Sequence, residues 1–289
     1  MEQLSCSQIK REIGFTLLLP LCFVCLSCKE IDLLPSPQED YGYKEIFAFL
    51  TSEELGGRYS GSDGASKTVD YISQYLDGKT EVVEVSNSEV DMKNVLFTSY
   101  GYSDSLVVIG AHYDAYGFQK KIALPGADDN ISGVSVLLKV AYCFIKEEPF
   151  HNYTYVFCFW DGEEIGRLGS KKYVSALPDK RRVKLYINVD TCGSINAYEL
   201  GVQCDGQHPA LHDLMLPLSL QIGAKLSDYS PQYFTTDCEP FEARSIPFVN
   251  IGCLTIPKYL HKAEDTIDNV SFSQLHKIQL ALYDFLISY

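Results

Sequence analysis

Two histidines and a set of carboxylates stand where apolar stretches of this chain give way to loops. They are His112 and Asp114 in GAHYDA, Asp128 and Asp129 in PGADDNISG, Glu163 and Glu164 in DGEEIG, Asp190 in NVDTCG, and His261 in LHKAEDT. Each has an ordinary explanation by itself. His112-x-Asp114 reads as a surface pair, Asp128 to Asn130 as caps for a helix start, and Glu163-Glu164 as a solvated turn. Brought to one place they cannot stay uncompensated, because crowded carboxylates repel and a desolvated ion costs several kcal/mol unless paired. No basic run longer than Lys180-Arg181-Arg182 supplies the balance. Two divalent cations would, set against Asp129, Glu164, Asp190 and one hydroxide, with His112 and His261 as neutral donors. A mixed nitrogen and oxygen shell with an open position for water suits catalytic zinc.

The paired glutamates then divide their work. Neighbouring side chains of an extended segment point to opposite sides, so Glu164 is expected to bind metal. Glu163 is left to take a proton from a metal-activated water, as a general base. Asp114, two residues past His112, is expected to accept the second N–H of that imidazole and orient it. A second histidine pair, His208 and His212 in HPALH, lacks the glutamate of an HExxH site and reads as a helix start.

Strands and helices have to bring these residues together. Apolar residues recur at helical spacing over 43–50, 65–76, 131–147 and 169–176, and again near 208–222 and 271–288. Strand-like runs fall at 81–85, 94–100, 105–112, 153–160, 183–190, 197–203 and 246–252, with a Gly/Ser-rich loop at 56–64. Near-continuous apolar strands alternating with helices imply an α/β fold: a three-layer α/β/α sandwich around a mixed, mostly parallel central sheet. Ligands of such sheets bind beyond the carboxyl ends of the strands. His112, Asp129, Glu164, Asp190 and His261 are all expected on that rim.

The chain has 289 residues and a formal net charge of −14, which argues against a nucleic-acid partner. Lys10 and Arg11 precede an apolar run, Ile13 to Leu26, that is short of the roughly 20 residues of a membrane span but suits a signal peptide. It ends at Leu26-Ser27-Cys28, so residues 1–28 are expected to be a leader with a lipobox-like end. Cys25 stands where that pattern usually has Leu or Val, and a simple cleaved signal or a retained anchor are the alternatives. Residues 29–42 read as a tether, and 43–289 as one domain that carries all the candidate zinc ligands. The expected location is outside the cytoplasm, facing periplasm or cell exterior, with membrane attachment only through a lipid at Cys28. Of ten cysteines, Cys143, Cys158, Cys192, Cys204, Cys238 and Cys253 lie past the leader. Their irregular spacing in apolar segments predicts buried free thiols.

These motifs together resemble the di-zinc aminopeptidases of the bacterial leucyl aminopeptidase type. The resemblance rests on GAHYDA (110–115), PGADDNISG (125–133), DGEEIGRLGS (161–170), NVDTCG (188–193) and LHKAEDT (260–266), with EELGGRYSGSDG (53–64) matching an early loop, and it spans about 53–288. It implies the zinc exopeptidase fold and two Zn2+ ions held by His112, Asp129, Glu164, Asp190 and His261. It further implies that Asp129 bridges the ions, that Glu163 is the base, and that peptide or protein N-termini are the substrate. The chain departs from the family at TTDCEPFE (235–242), where Cys238 replaces the histidine of a Ser-Asp-His-x-x-Phe segment while Asp237 and Phe241 fit. Glutaminyl cyclases share the DGEE motif on a related one-zinc fold, but usually carry Trp where Leu260 stands here. A carboxypeptidase within the same peptidase reading, and a non-catalytic metal-binding lipoprotein, are further alternatives.

Overall fold

The computed structural model describes residues 40–85, 89–195, 199–230 and 235–289. The leader expected over 1–28 and nearly all of the tether lie outside the described residues. Ten strands occur among them: β1 (Glu81–Glu84), β2 (Lys93–Ser99), β3 (Leu106–His112), β4 (Phe118–Gln119), β5 (Ile122–Ala123), β6 (Thr154–Trp160), β7 (Val183–Asp190), β8 (Leu200–Cys204), β9 (Lys225–Asp228) and β10 (Phe248–Cys253). Seven α-helices accompany them: α1 (Lys44–Leu50), α2 (Asp63–Tyr75), α3 (Gly133–Glu147), α4 (Leu168–Ala176), α5 (Ala210–Ile222), α6 (Glu239–Glu242) and α7 (Phe272–Ser288).

Eight strands form one sheet in the order β1-β2-β6-β3-β7-β10-β8-β9. The β6, β3, β7 and β10 strands run parallel to their neighbours in the middle, and antiparallel pairings flank them. This is the expected α/β/α sandwich with a mixed, mostly parallel sheet. Period-two alternation assigns the two faces. Val107, Ile109 and Ala111 of β3, Tyr155, Phe157 and Phe159 of β6, and Leu185, Ile187 and Val189 of β7 enter the larger core with α1, α2, α3, α5 and α7. Val108, Val156, Cys158, Trp160 and Tyr186 face the smaller core, where Phe241 of α6 stacks on Tyr186 at 3.7 Å between ring centroids.

The smaller face also carries a buried polar chain across four strands. Trp160 Nε1 donates to Tyr186 Oη, which donates to Asn188 Oδ1; Asn188 donates to Asn250, and Asn250 to Gln203, over 2.8–3.1 Å. Every link satisfies a group that would be costly to bury alone. Gly110 permits it, since a Cβ there would sit 2.3 Å from Trp160 Nε1.

Some local expectations needed correction. Residues 53–58 of the Gly/Ser-rich stretch form a 3-10 turn with Gly56 and Gly57 at positive φ. The edge strand β9 and the small hairpin β4–β5 had no strand signal in the sequence, because both are short and largely solvent-facing. Five of the six cysteines are buried free thiols, but Cys143 is disulfide-bonded.

The carboxyl end of β7 is gripped from two sides. A Cβ on Gly133 would meet Val189 O at 2.1 Å, and one on Gly252 would meet Asp190 O at 2.0 Å. Backbone cannot yield as a flexible side chain can, so both positions require glycine. Gly252→Ala is therefore expected to lower stability by about 1–3 kcal/mol through overpacking, measured by urea denaturation, and to move the end of β7 that carries Asp190.

Candidate active site

Strand register sets the first contact. Gly110 of β3 pairs with Asn188 of β7, so two residues further along His112 and Asp190 emerge side by side on the same face. His112 Nε2 lies 3.6 Å from Asp190 Oδ1. Asp129 comes from the π-type turn Ala127–Ser132 that precedes α3, in which Asp129 and Asn130 depart from helical geometry. Its carboxylate sits between the two histidines: Oδ1 is 3.2 Å from His112 Nε2, and Oδ2 is 3.0 Å from His261 Nε2. His261 Nε2 is in turn 3.4 Å from Glu164 Oε2. The result is two half-sites, each with one imidazole, one private carboxylate and one oxygen of Asp129.

The seven residues given metal-binding, catalytic or orienting roles in the sequence reading, His112, Asp114, Asp129, Glu163, Glu164, Asp190 and His261, meet at the carboxyl rim. Most of them line, with Tyr116, Arg167, Thr191, Thr235, Pro257 and Leu260, a cavity of about 370 Å³. Asp114 lies behind it, fully buried. His208 and His212 lie elsewhere, paired with Asp205 and Asp228 respectively.

Each reactive side chain stays free because its backbone is held by another residue. Asp114 accepts hydrogen bonds from the amides of Glu163 and Glu164, both at 3.1 Å, and from Ser60 Oγ at 3.2 Å. Its carboxylate is therefore occupied with the glutamate turn, and His112 Nδ1 lies nearer the main-chain oxygen of Asp114, at 3.2 Å, than the carboxylate, at 3.6 Å. Both the main-chain oxygen and the carboxylate of Asp114 thus stand beside that imidazole nitrogen. Asp265, four residues past His261, receives the amides of Asp128 and Asp129 at 2.8 and 3.1 Å. Asn130 donates to Val189 O and accepts from Gly133 N, tying the turn to the end of β7.

Arg58 had no role in the sequence reading beyond its place in GGRYSG. It is fully buried, and its guanidinium donates to the carbonyls of Leu50, Tyr113, Pro125 and Gly126. Burial pushes its pKa down to about 10, against the opposing pull of Asp265, Asp114, Asp129 and Glu164, so it remains a cation at neutral pH beneath the acidic cluster. Neither Arg58 nor Asp265 has a sequence signal of its own kind; the arginine between glycines and the acid spaced from His261 were the available hints.

Titration directions report the crowding. Burial, and then Asp129, push the Glu164 carboxyl up to about 8, and burial raises Glu163 well above the usual carboxylate range. Burial opposes charging His261, but Asp129 and Glu164 outweigh it and lift the imidazole to about 10. For Asp129 burial is likewise outweighed, by His112 and His261, which hold it below the ordinary range. Buried Asp190 Oδ1 and Glu164 Oε1 have no hydrogen-bond partner. One ligand atom each from His112, Asp129 and Glu164 lie within 4.8 Å of one another. Convergent oxygen and nitrogen donors, two of them orphaned, fit a divalent cation such as zinc.

Comparison with known proteins bears on the family and the fold. A family model described as Peptidase family M28 matches residues 94–286. A probable leucine aminopeptidase of Arthroderma otae is 28% identical over 249 residues, covering 78% of this chain and 66% of that protein's length. BSAP, a zinc aminopeptidase from Bacillus subtilis, superposes with a TM-score of 0.70 at 16% identity, over 85% of this chain and 95% of that one. A glutaminyl cyclase from an Acidobacteriales bacterium gives the same TM-score, 0.70, at 21% identity, over 87% and 93% of the two chains. Identities this low establish the shared fold alone.

Asp265→Ala leaves two buried amides without acceptors. An expected loss of about 1–3 kcal/mol for each unpaired donor should appear in chemical denaturation, with Asp265→Asn recovering part of it through its single acceptor oxygen.

Proposed function

The chain belongs to peptidase family M28, and we propose that it is a zinc-dependent aminopeptidase that hydrolyses N-terminal peptide bonds. The observation that carries this reading is the division of Asp129, whose two oxygens face two different histidines at 3.2 and 3.0 Å. One zinc would be held by His112, Asp190 and Asp129 Oδ1, the other by His261, Glu164 and Asp129 Oδ2. When bound, zinc supplies Lewis acidity that polarises the scissile carbonyl and makes a water acidic near neutral pH.

This chain's residues do the rest. Glu163, held on the pocket wall by its amide bond to Asp114, takes the proton from the attacking water. The water oxygen bonds to the carbonyl carbon, the C–N bond breaks, and Glu163 delivers the proton to the leaving amine. Its carboxylate lies outside both half-sites, which keeps it available. Tyr116, whose ring lies 4.1 Å from that of His261 between centroids, restrains the more exposed of the two imidazoles.

We extend the proposal to location: the chain is exported and anchored through lipid on Cys28, the cysteine after Leu26-Ser27. Cys28→Ser should abolish metabolic labelling with a fatty acid, and labelling that persists would remove the lipobox reading.

Purified protein should carry close to two zinc ions per chain by elemental analysis. Glu163→Gln should lose turnover by roughly a hundredfold or more, in the range of general-base contributions, with metal content nearly unchanged. Full activity in that variant would overturn the assignment of the base. A single zinc retained without His112 or Asp190 would favour the cyclase, and two ions without turnover on any aminoacyl or N-terminal glutaminyl substrate would favour a binding protein.

A further inference from the structure

Among the described residues lining the cavity, one is a permanent cation. Arg167 stands on the wall beside the glutamate turn, with Thr235 next to it. We infer that Arg167 recognises a carboxylate on the substrate, so that peptides carrying a carboxylate within one residue of the scissile bond are preferred. The inference rests on the aminopeptidase reading for the position of that bond, and names the substrate class.

The guanidinium is held rigidly. Arg167 takes the left-handed conformation, at φ 59°, as the residue that leads into α4, and its amide bonds Glu163 O at 2.9 Å. NH1 donates to Thr235 Oγ1 at 2.7 Å, and NH2 lies 2.6 Å from Glu239 Oε2. NH1 is also 3.9 Å from Glu163 Oε1, so this edge faces the reacting groups while Glu239 approaches from the other side. A guanidinium offers five N–H donors in a fixed fork. The two short contacts leave donors over, and Nε is buried with no partner. A cation fixed in advance loses little entropy when it binds an anion, and a forked donor matches a carboxylate with two parallel bonds.

Charge and size point the same way. With Asp129, Glu164 and Asp190 engaged by two dications, the carboxylate left over on the cavity wall is Glu163, and beside it stands one basic group, Arg167. That is the charge order of a zwitterionic dipeptide, or of a peptide with an acidic N-terminal residue. The cavity, about 370 Å³, is near the small end of ligand pockets, which suits a ligand whose carboxylate lies close to its amine. The chemistry is shared by both sources: an acidic side chain on the N-terminal residue, or the free carboxy terminus of a dipeptide. The competing structural role is a bracket, with Arg167 merely pinning Thr235 and Glu239 against the glutamate turn.

The test uses zinc-loaded full-length protein and two matched pairs of substrates: Glu-Ala-amide against Gln-Ala-amide, and Leu-Ala against Leu-Ala-amide. In at least one pair the carboxylate-bearing member should be favoured in kcat/KM by roughly tenfold to a hundredfold, the value of charge-assisted hydrogen bonds. The first pair reports an acidic N-terminal residue, the second a dipeptide terminus. Arg167→Leu should bring the ratio near one, and Arg167→Lys, which keeps charge without the fork, should lower it partway. Glu239→Gln, which keeps the arginine and removes its outer partner, should hold or raise it, and serves if Arg167→Leu fails to fold. Ratios near one in both pairs, or a ratio unchanged by Arg167→Leu whatever the absolute rate, overturn the inference. Calorimetric binding of the same peptides to the Glu163→Gln variant reads the preference without cleavage. A retained affinity ratio with no turnover in the wild type would sink the peptidase reading and keep this one, while turnover without a ratio would do the reverse.

Discussion

The structure turns on one carboxylate shared between two imidazoles. Asp129 is almost fully buried, and each of its oxygens approaches a different histidine, one from the end of β3 and one from the loop after β10. Around it Asp114, Asp128, Glu164 and Asp190 are buried or nearly so. Charges at this density are tolerable in a low-dielectric interior only if each is paired, hydrogen-bonded or bound to a cation. Every neighbouring feature can be understood as one of those three solutions.

Hydrogen bonding supplies the first part, and it is organised so that support and chemistry use different atoms. Asp114 and Asp265 direct both carboxylate oxygens at consecutive backbone amides, one pair in the glutamate turn and the other before α3. The amides they grip belong to Glu163, Glu164, Asp128 and Asp129, whose side chains are thereby aimed without being consumed. Pairing supplies the second part, through Arg58, which bonds backbone carbonyls and acts on the acids through its charge rather than by direct contact. What those two leave over is the pair of half-sites, where Asp190 Oδ1 and Glu164 Oε1 still lack partners. Cations would complete those shells, while Asp128 Oδ2, Asp161 Oδ1 and Asp237 Oδ2 are also buried without hydrogen-bond partners.

Much of this was legible in the chain before any coordinates. Apolar runs such as YTYVFCFW and VKLYINVD announce buried strands, and the switch to acids and histidines at their ends marks the rim. Less legible was anything set by contact between distant segments. Nothing near Asp265 says that it will bond amides more than a hundred residues earlier. Asp114 was visible as a partner for His112 because the two are close in sequence, but it was not visible that its carboxylate also holds the turn after β6. Arg58 follows the same rule, since a buried cation looks like a surface residue until the shell around it is known. Local spacing reveals which residues share a strand end; it does not reveal which side chains hold the backbone that presents them.

That limit bears on how function should be read from such folds. A zinc aminopeptidase and a glutaminyl cyclase match this chain with equal TM-scores of 0.70, so the sandwich and its strand ends do not separate the two chemistries. The separation lies in a few positions on the rim. His112 and Asp190 supply the half-site that a one-zinc enzyme has no need to fill, and Leu260 leaves an aliphatic wall beside His261. Cys238 is fully buried in the smaller core with Tyr186 and Phe241 and is absent from the cavity wall. Cys238 therefore lies outside both half-sites. Arg167, with Thr235 beside it, stands on the wall next to the glutamate turn and outside both half-sites. Arg167 and Glu164 share the turn after β6, so a change that repositions that turn moves both a metal donor and the cation beside it.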